Sequence, residues 1–356
     1  MCGRTACTLA PDEICKACSV LTVTEDGKKC YKPLQWKEHP GNYSYAPSYN
    51  MAPSRITPVI ISEHHVQGTK RDSDDETVPP QRIIQPMMWG LIPPFYKGSA
   101  PTGHGLKTSN CRFENIEEKK TFKPSLVKGQ RCVVLCDGFY EWQTSKGGKN
   151  KQPYFVYTPQ PKGIEIWNRE SWDKPNVWNE EEGWKGPQLL KMAGLFSYWV
   201  STEGEVVMSY SVITLESGKE YSVIHNRTPA ILETDMDVES WLDFGHIGYK
   251  EALTVLKNEM EITWHPVSTA VNNSRNQEPQ LNAPISLEKK PPQTASSKLM
   301  ATWLSKGSVK KGDSTPIKKE SLEPKEEPTE ELEEEPKEEL KKELKEELKK
   351  ELKEEP

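Results

Sequence analysis

RCVVLCDGFYEWQ, residues 131–143, is an apolar run of β-branched and aromatic side chains that ends on a carboxylate, Glu141, set between Tyr140 and Trp142. Such runs favour a pleated strand, where branched and aromatic side chains pack against their neighbours. The same texture recurs on either side, in TPVIIS (57–62), RIIQPMMWGLI (82–92), PYFVYTP (153–159), KMAGLFSYWV (191–200) and VVMSYSVITLES (206–217), with Pro, Gly and Asn between them. Helical patterns are fewer: PDEICKACSVL (11–21), VESWLDF (238–244) and EALTVLKNEM (251–260). Strands do not alternate with helices, so a parallel βαβ sheet is not expected. The predicted fold is α+β, a single domain over residues 2–285 with a mainly antiparallel, barrel-like β core and a few helices.

Two polar stretches, 62–81 and 160–187, read as surface loops. The second carries Trp167, Trp172, Trp178 and Trp184 among acidic residues, and peripheral packing is the expected role of these rings. Beyond about residue 285 the composition shifts. Residues 286–320 are rich in Lys, Ser, Pro and Thr and read as a flexible linker, and 321–356 is a low-complexity Glu/Lys/Leu tail. Leu340, Leu344, Leu348 and Leu352 recur every four residues among Glu and Lys, the pattern of a solvated single helix rather than a coiled-coil seam. The tail holds 16 Glu against 8 Lys, a charge of −8 within a chain whose total is −6, so the first 320 residues come out near +2. An acidic pI therefore does not exclude an anionic partner for the body.

No stretch approaches the ~18 apolar residues of a membrane span, and the N-terminus lacks the plan of a signal peptide. The chain is expected to be intracellular, monomeric and free of membrane contact, with its eight cysteines mostly reduced. Cys15 and Cys18 form one C-x-x-C without a second pair at zinc spacing, so no metal and no cofactor are expected.

The chemistry begins at the N-terminus, MCGR. A small residue at position 2 favours removal of Met1, which leaves Cys2 with an α-amine and a thiol on one residue. This 1,2-aminothiol can condense with an aldehyde, the amine giving a Schiff base and the thiol closing a thiazolidine ring. Alternatively the thiol can attack an amide with the amine as base. Three other polar groups stand in unusual settings. Asn110 and Arg112 in LKTSNCRFEN share one face of an extended segment. Glu141 ends an apolar strand, where a carboxylate suits acid–base work, and His225 precedes Arg227 and a Pro turn in SVIHNRTPAIL.

The ordered set MCGR, YNMAPS, MMWGLIPPF, TSNCR, CVVLCDGFYEW, YSVITLES, IHNRTPAIL and VNNSRN resembles the SRAP (SOS response associated peptidase) family, in sequence from Met1 to about Pro284. The resemblance implies an SRAP domain that senses abasic sites in single-stranded DNA at replication forks, in the nucleus. It implies that Cys2 joins the lesion through a thiazolidine, that Glu141 and His225 move protons during sugar ring opening and reversal, and that Asn110 holds the reacting sugar. Arg4, Arg112 and Arg227 would take phosphates, Trp89 would offer a stacking face, and Asn50 and Pro53 would line the same groove. Autoproteolytic release and abasic-site lyase chemistry travel with the family and use the same groups. Two departures stand out: Met88 where many relatives carry a basic residue, and Thr228 where the family often has Met. Ser297, Met300, Trp303 and Leu304 sit where a PCNA-binding box places its anchors, but the leading Gln and one aromatic are missing, so the segment is a degenerate match. Non-covalent reading of modified bases and a cysteine-type amidohydrolase activity are the alternatives.

Overall fold

In the computed structural model the run 131–143 is two strands, broken at Asp137, where a single strand was expected. The structure describes residues 2–67, 81–143 and 151–287, and contacts divide the chain into Met1–Glu288 and Lys289–Pro356. The PCNA-like segment and the acidic tail lie outside the described residues. Within the first unit the strands, in chain order, are β1 (Thr5–Cys7), β2 (Val20–Val23), β3 (Lys29–Lys32), β4 (Gln35–Trp36), β5 (Ser48–Met51), β6 (Ile56–Ser62), β7 (Arg82–Trp89), β8 (Asn110–Arg112), β9 (Arg131–Cys136), β10 (Gly138–Trp142), β11 (Pro153–Tyr157), β12 (Trp178–Asn179), β13 (Gly183–Trp184), β14 (Leu190–Val200), β15 (Val206–Glu216), β16 (Arg227–Pro229) and β17 (Thr263–Pro266).

Five of them close a ring. The order β15-β14-β9-β6-β7 is antiparallel throughout, and β7 returns to β15 through a parallel contact at Ser209 and Met88 and at Tyr210 and Trp89. Val59, Ile61, Met87, Val134, Met192 and Val212 share the inner face of this ring, none more than 2% exposed. Pro58 and Pro86 lie opposite each other in the β6–β7 ladder. Neither costs a hydrogen bond to a further strand, because β6 meets β9 only from Val59 onward and β7 meets its other neighbours at residues 83–84 and 88–89. The expected barrel-like, mainly antiparallel core is thus the core observed.

The second sheet has the order β17-β11-β10-β1-β5, antiparallel at every pair. The 131–143 run belongs to both layers, since β9 is a barrel stave and β10 a central strand of this sheet. The bend needs Gly138, because a Cβ there would stand 2.4 Å from the Val156 carbonyl oxygen. Helices cover the ends. PDEICKACSVL is helical only over Pro11–Ala17, its last residues turning into β2, which pairs with β3. The helix Asp235–Leu242 starts on a reciprocal cap between Thr234 and Asp237 and sends Trp241 Nε1 to the Cys132 carbonyl at 2.9 Å. The third helical stretch shrinks to Tyr249–Leu253.

Asp137, at the bend, is 1% exposed, and its Oδ2 accepts from the Thr8 amide (2.9 Å) and hydroxyl (2.6 Å). Burial raises its carboxyl to about 7 despite those donors. In the unfolded chain the same group ionises near 3.9. Between these values the folded form holds a proton the unfolded form has lost, so stability falls as pH rises from about 4 to 7 and levels off above. Each unit in that window removes on the order of 1 kcal/mol. Urea midpoints measured from pH 4.5 to 8 are expected to show this decline, and Asp137→Asn to flatten it; an equal slope in both proteins would assign the decline elsewhere.

Candidate functional site

The site forms where the two sheets meet at the start of the chain. Cys2 runs into β1, whose register against β10 sets Thr5 opposite Phe139, and the Tyr140 amide donates to the Arg4 carbonyl at 2.8 Å. This brings the chain's first residues beside the β10 carboxylate, Glu141. From the barrel side, β8 lies parallel to β15 with Asn110 opposite Val212, and the Asn110 Nδ2 donates to the Cys2 carbonyl at 2.7 Å. Cys111 between them is fully buried and Arg112 exposed, as alternation along an extended segment requires. Asn110 Oδ1 is buried and without a hydrogen-bond partner among the described residues.

Cys2 is 1% exposed and Glu141 5%. Burial, and after it the Glu141 charge, push the Cys2 thiol well above the ordinary thiol range. The sulfur is therefore a neutral thiol in the resting site, and a nucleophilic step through it needs a proton acceptor close by. Glu141 accepts from the Trp142 amide at 3.2 Å and stands 3.9 Å from His225 Nε2. His225 follows the short 3-10 turn Tyr221–Val223, and its Nδ1 accepts from the Arg227 amide at 3.0 Å. A backbone N–H can only donate, so Nδ1 is the bare nitrogen and the ring proton sits on Nε2, facing Glu141. Burial lowers the His225 pKa below its ordinary value, offset in part by Glu141, which keeps the ring neutral near pH 7. Four of the sequence-predicted residues, Cys2, Asn110, Glu141 and His225, thus come together from four separate segments.

The residues expected to contact DNA divide differently. Arg112 is exposed, and with Arg227, Glu216, Ser217, Ser222 and Asn226 it lines a polar cleft of about 350 Å³ beside the site. Pro53 is exposed at a turn whose next residue, Ser54, is left-handed at φ 72°. Arg227 is 7% exposed and already engaged: Nη1 and Nη2 reach Glu114 at 2.6 and 3.1 Å, and Nη2 also donates to the Thr214 carbonyl. Arg4 donates to Asn50 Oδ1 (2.7 Å) and the Val271 carbonyl (3.0 Å), and its guanidinium lies 5.9 Å from the Trp142 ring centre. Asn50 is 2% exposed, with its amide spent on the carbonyls of Val271, Asn273 and Asn276. Arg4 and Asn50 thereby pin the 271–276 segment to β5.

Trp89 corrects an expectation. It is 1% exposed, its Nε1 donates to the Ser109 carbonyl at 2.9 Å, and its ring runs parallel to Tyr210 with centres 6.5 Å apart. The ring fills the barrel end and offers no face to a base. The aromatic ring at the rim of the site is instead Trp142, half-buried and tied by Nε1 to Asn272 Oδ1 at 2.7 Å. Sequence reasoning also passed over Tyr221, 4% exposed, whose hydroxyl lies within the field of Glu141 and Cys2. Only its place four residues before His225 on the same turn could have marked it.

Among the described residues no group of three or more His, Cys, Asp or Glu is placed to hold a metal ion, and no helix is long and apolar enough to cross a membrane. Comparison with known proteins finds that residues 1–274 match the model of the family described as SRAP, SOS response associated peptidase. The chain is 43% identical over 323 residues to the abasic site processing protein HMCES of Rattus norvegicus, covering 90% of this chain and 87% of that protein. It is similarly 43% identical over 325 residues to the HMCES protein of Xenopus tropicalis, covering 90% of each. A crystal structure of a protein from Bordetella bronchiseptica shares the fold at TM-score 0.50 and 16% identity, over 75% of this chain and all of that one.

Proposed function

The chain belongs to the SRAP family, and from that premise we propose that it acts on abasic sites in single-stranded DNA by forming a covalent thiazolidine through Cys2. The observation that carries this reading is the convergence on Cys2: Asn110 fixes its carbonyl at 2.7 Å while the Glu141–His225 pair, 3.9 Å apart, faces it. Relatives named abasic site processing proteins supply the substrate class.

Each residue has a task in the sequence of bonds. The cyclic sugar opens when Glu141 takes the proton of the C1 hydroxyl and passes it to the ring oxygen, to which His225 Nε2–H donates a hydrogen bond. The Cys2 amine adds to the C1 aldehyde, and loss of water gives the Schiff base. The thiol then adds to the same carbon, its proton passing by way of Glu141 to the nitrogen, so that one water is lost overall and no oxidant is required. The neutral resting thiol suits this order, amine first and sulfur second. Arg112 and the polar cleft receive the strand, an exposed guanidinium being fit for phosphate. The reading places the protein on nuclear chromatin at replication forks, where the adduct shields the lesion. Autoproteolytic release would use the same groups, and strand cleavage from the Schiff base is a side reaction of them.

Incubation with a single-stranded oligonucleotide bearing one abasic site, at pH 7 and low salt, followed by a denaturing gel, is expected to give a shifted band. Protein retaining Met1, whose Cys2 nitrogen is an amide, is expected to give none. No band with the wild type overturns the reading, and an undiminished band with Met1 in place overturns the amine-first route.

A further inference from the structure

Tyr221 is a buried tyrosine whose hydroxyl has no hydrogen-bond partner among the described residues. Leaving such a group unpaired costs on the order of 1–3 kcal/mol, so its presence calls for a reason. Its surroundings supply one. The ring packs edge-on to Phe139, centres 6.2 Å apart at 72°, and to Trp264, 5.9 Å apart at 72°. Phe139 lies two residues before Glu141 on the same strand, hence on the same face of the sheet. Tyr221 also anchors the turn that carries His225, its carbonyl accepting from the Ile224 amide at 2.9 Å and the His225 amide at 3.3 Å. It therefore stands between the strand of Glu141 and the turn of His225. Asn110 Oδ1, which shares a residue with the amide that holds the Cys2 carbonyl, is another buried polar atom of the site without a hydrogen-bond partner among the described residues.

We propose that Tyr221 is a further catalytic residue, its hydroxyl donating a hydrogen bond to the sugar ring oxygen as the abasic site opens and holding the C4 hydroxyl that results, with Asn110 Oδ1 accepting from a hydroxyl of the opened sugar. This rests on the abasic-site reading above. No proton leaves Tyr221: burial, with the Glu141 charge adding to it, holds the phenol far above neutral pH, so it acts as a donor only. The ring oxygen gains its proton through Glu141, and Tyr221 stabilises the charge that accumulates on that oxygen before the proton arrives.

The test is the single-turnover cross-linking rate of Tyr221→Phe with two substrates. On an abasic site the variant is expected to react about tenfold more slowly than wild type at saturating DNA, the effect of one hydrogen bond lost from a transition state. On an oligonucleotide carrying a plain alkyl aldehyde in place of the sugar, which has no ring to open, the two proteins are expected to react alike. The thermal midpoint of the variant is expected to equal or exceed that of wild type, because an unpaired hydroxyl is gone. Equal rates on the abasic site overturn the role, as does an equal loss on both substrates, which marks a packing defect. Failure of wild type to react with either substrate overturns the underlying reading instead.

Discussion

Cys2→Ala is expected to leave no adduct that survives denaturation, while the protein remains folded and still retains single-stranded DNA on a filter. The side chain is small and sits at the edge of the core, so removing the sulfur leaves only a small cavity next to β1. What disappears is the second bond. In the Schiff base the thiol is attached two atoms from the nitrogen, and intramolecular attack of this kind acts with effective molarities of about 10⁵ M or more. A Schiff base without that closure hydrolyses on the gel. Cys2→Ser separates the two stages: its amine forms the imine but its hydroxyl closes the ring poorly, so an adduct is expected only when borohydride is present to reduce it. A stable, unreduced adduct from Cys2→Ala would show that some other residue makes the bond.

Glu141→Gln is expected to lower the single-turnover rate about 10²- to 10⁴-fold at pH 7, the range lost with a general acid–base group. The size of the effect bears on what the carboxylate does. Freeing an amine of pKa about 7.8 from its proton at pH 7 costs only about 1 kcal/mol, which is less than tenfold. A loss of 10²-fold or more therefore points to proton transfer at the sugar oxygens and the thiol. The amide is isosteric, and its oxygen can accept from the Trp142 amide as the carboxylate does, so the packing of β10 survives. The variant has a second signature. Glu141 does most, with the Arg227 backbone, to raise the His225 pKa against the effect of burial, so an NMR titration is expected to show His225 shifting further down once the charge is gone. Cross-linking at the wild-type rate would remove Glu141 from the chemistry.

The sequence shows the fold class because the strands of the barrel are dense in Val, Ile and aromatic residues and only short helices, such as His64–Gln67 and Lys123–Val127, intervene between them. It does not show where a strand changes layer. The run 131–143 is uniformly apolar on both sides of Asp137, and the only local mark is a Gly whose need arises from the Val156 carbonyl, which is close in space and distant in sequence. Pro58 and Pro86 mislead in the same way, for their tolerance depends on which side of each strand is unpaired. Cys2, Asn110, Glu141 and His225 stood out as reactive residues in apolar or turn settings, but it was the family resemblance, not any local pattern, that grouped them. The roles of Arg4, Asn50, Trp89 and Arg227 were not legible. Whether a guanidinium faces solvent or a carboxylate is decided by partners such as Glu114 and Val271, and no local pattern encodes them. Tyr221 was hidden for the opposite reason, since an aromatic in a turn looks like ordinary packing until its hydroxyl is found without a partner.

The burial of Cys2 also imposes an order of events during synthesis. In the folded protein the residue is 1% exposed. The segments that cover it are made late: Phe139 supplies the neighbouring strand, and Val271, which holds Arg4, lies 267 residues downstream. At roughly 5–20 residues per second, the ribosome leaves the N-terminus bare for tens of seconds before that cover exists. Trimming of Met1 is expected to fall in this interval. On the thiazolidine reading, a chain that keeps Met1 is expected to form no adduct, so the yield of cross-linking protein follows how completely the nascent chain is trimmed.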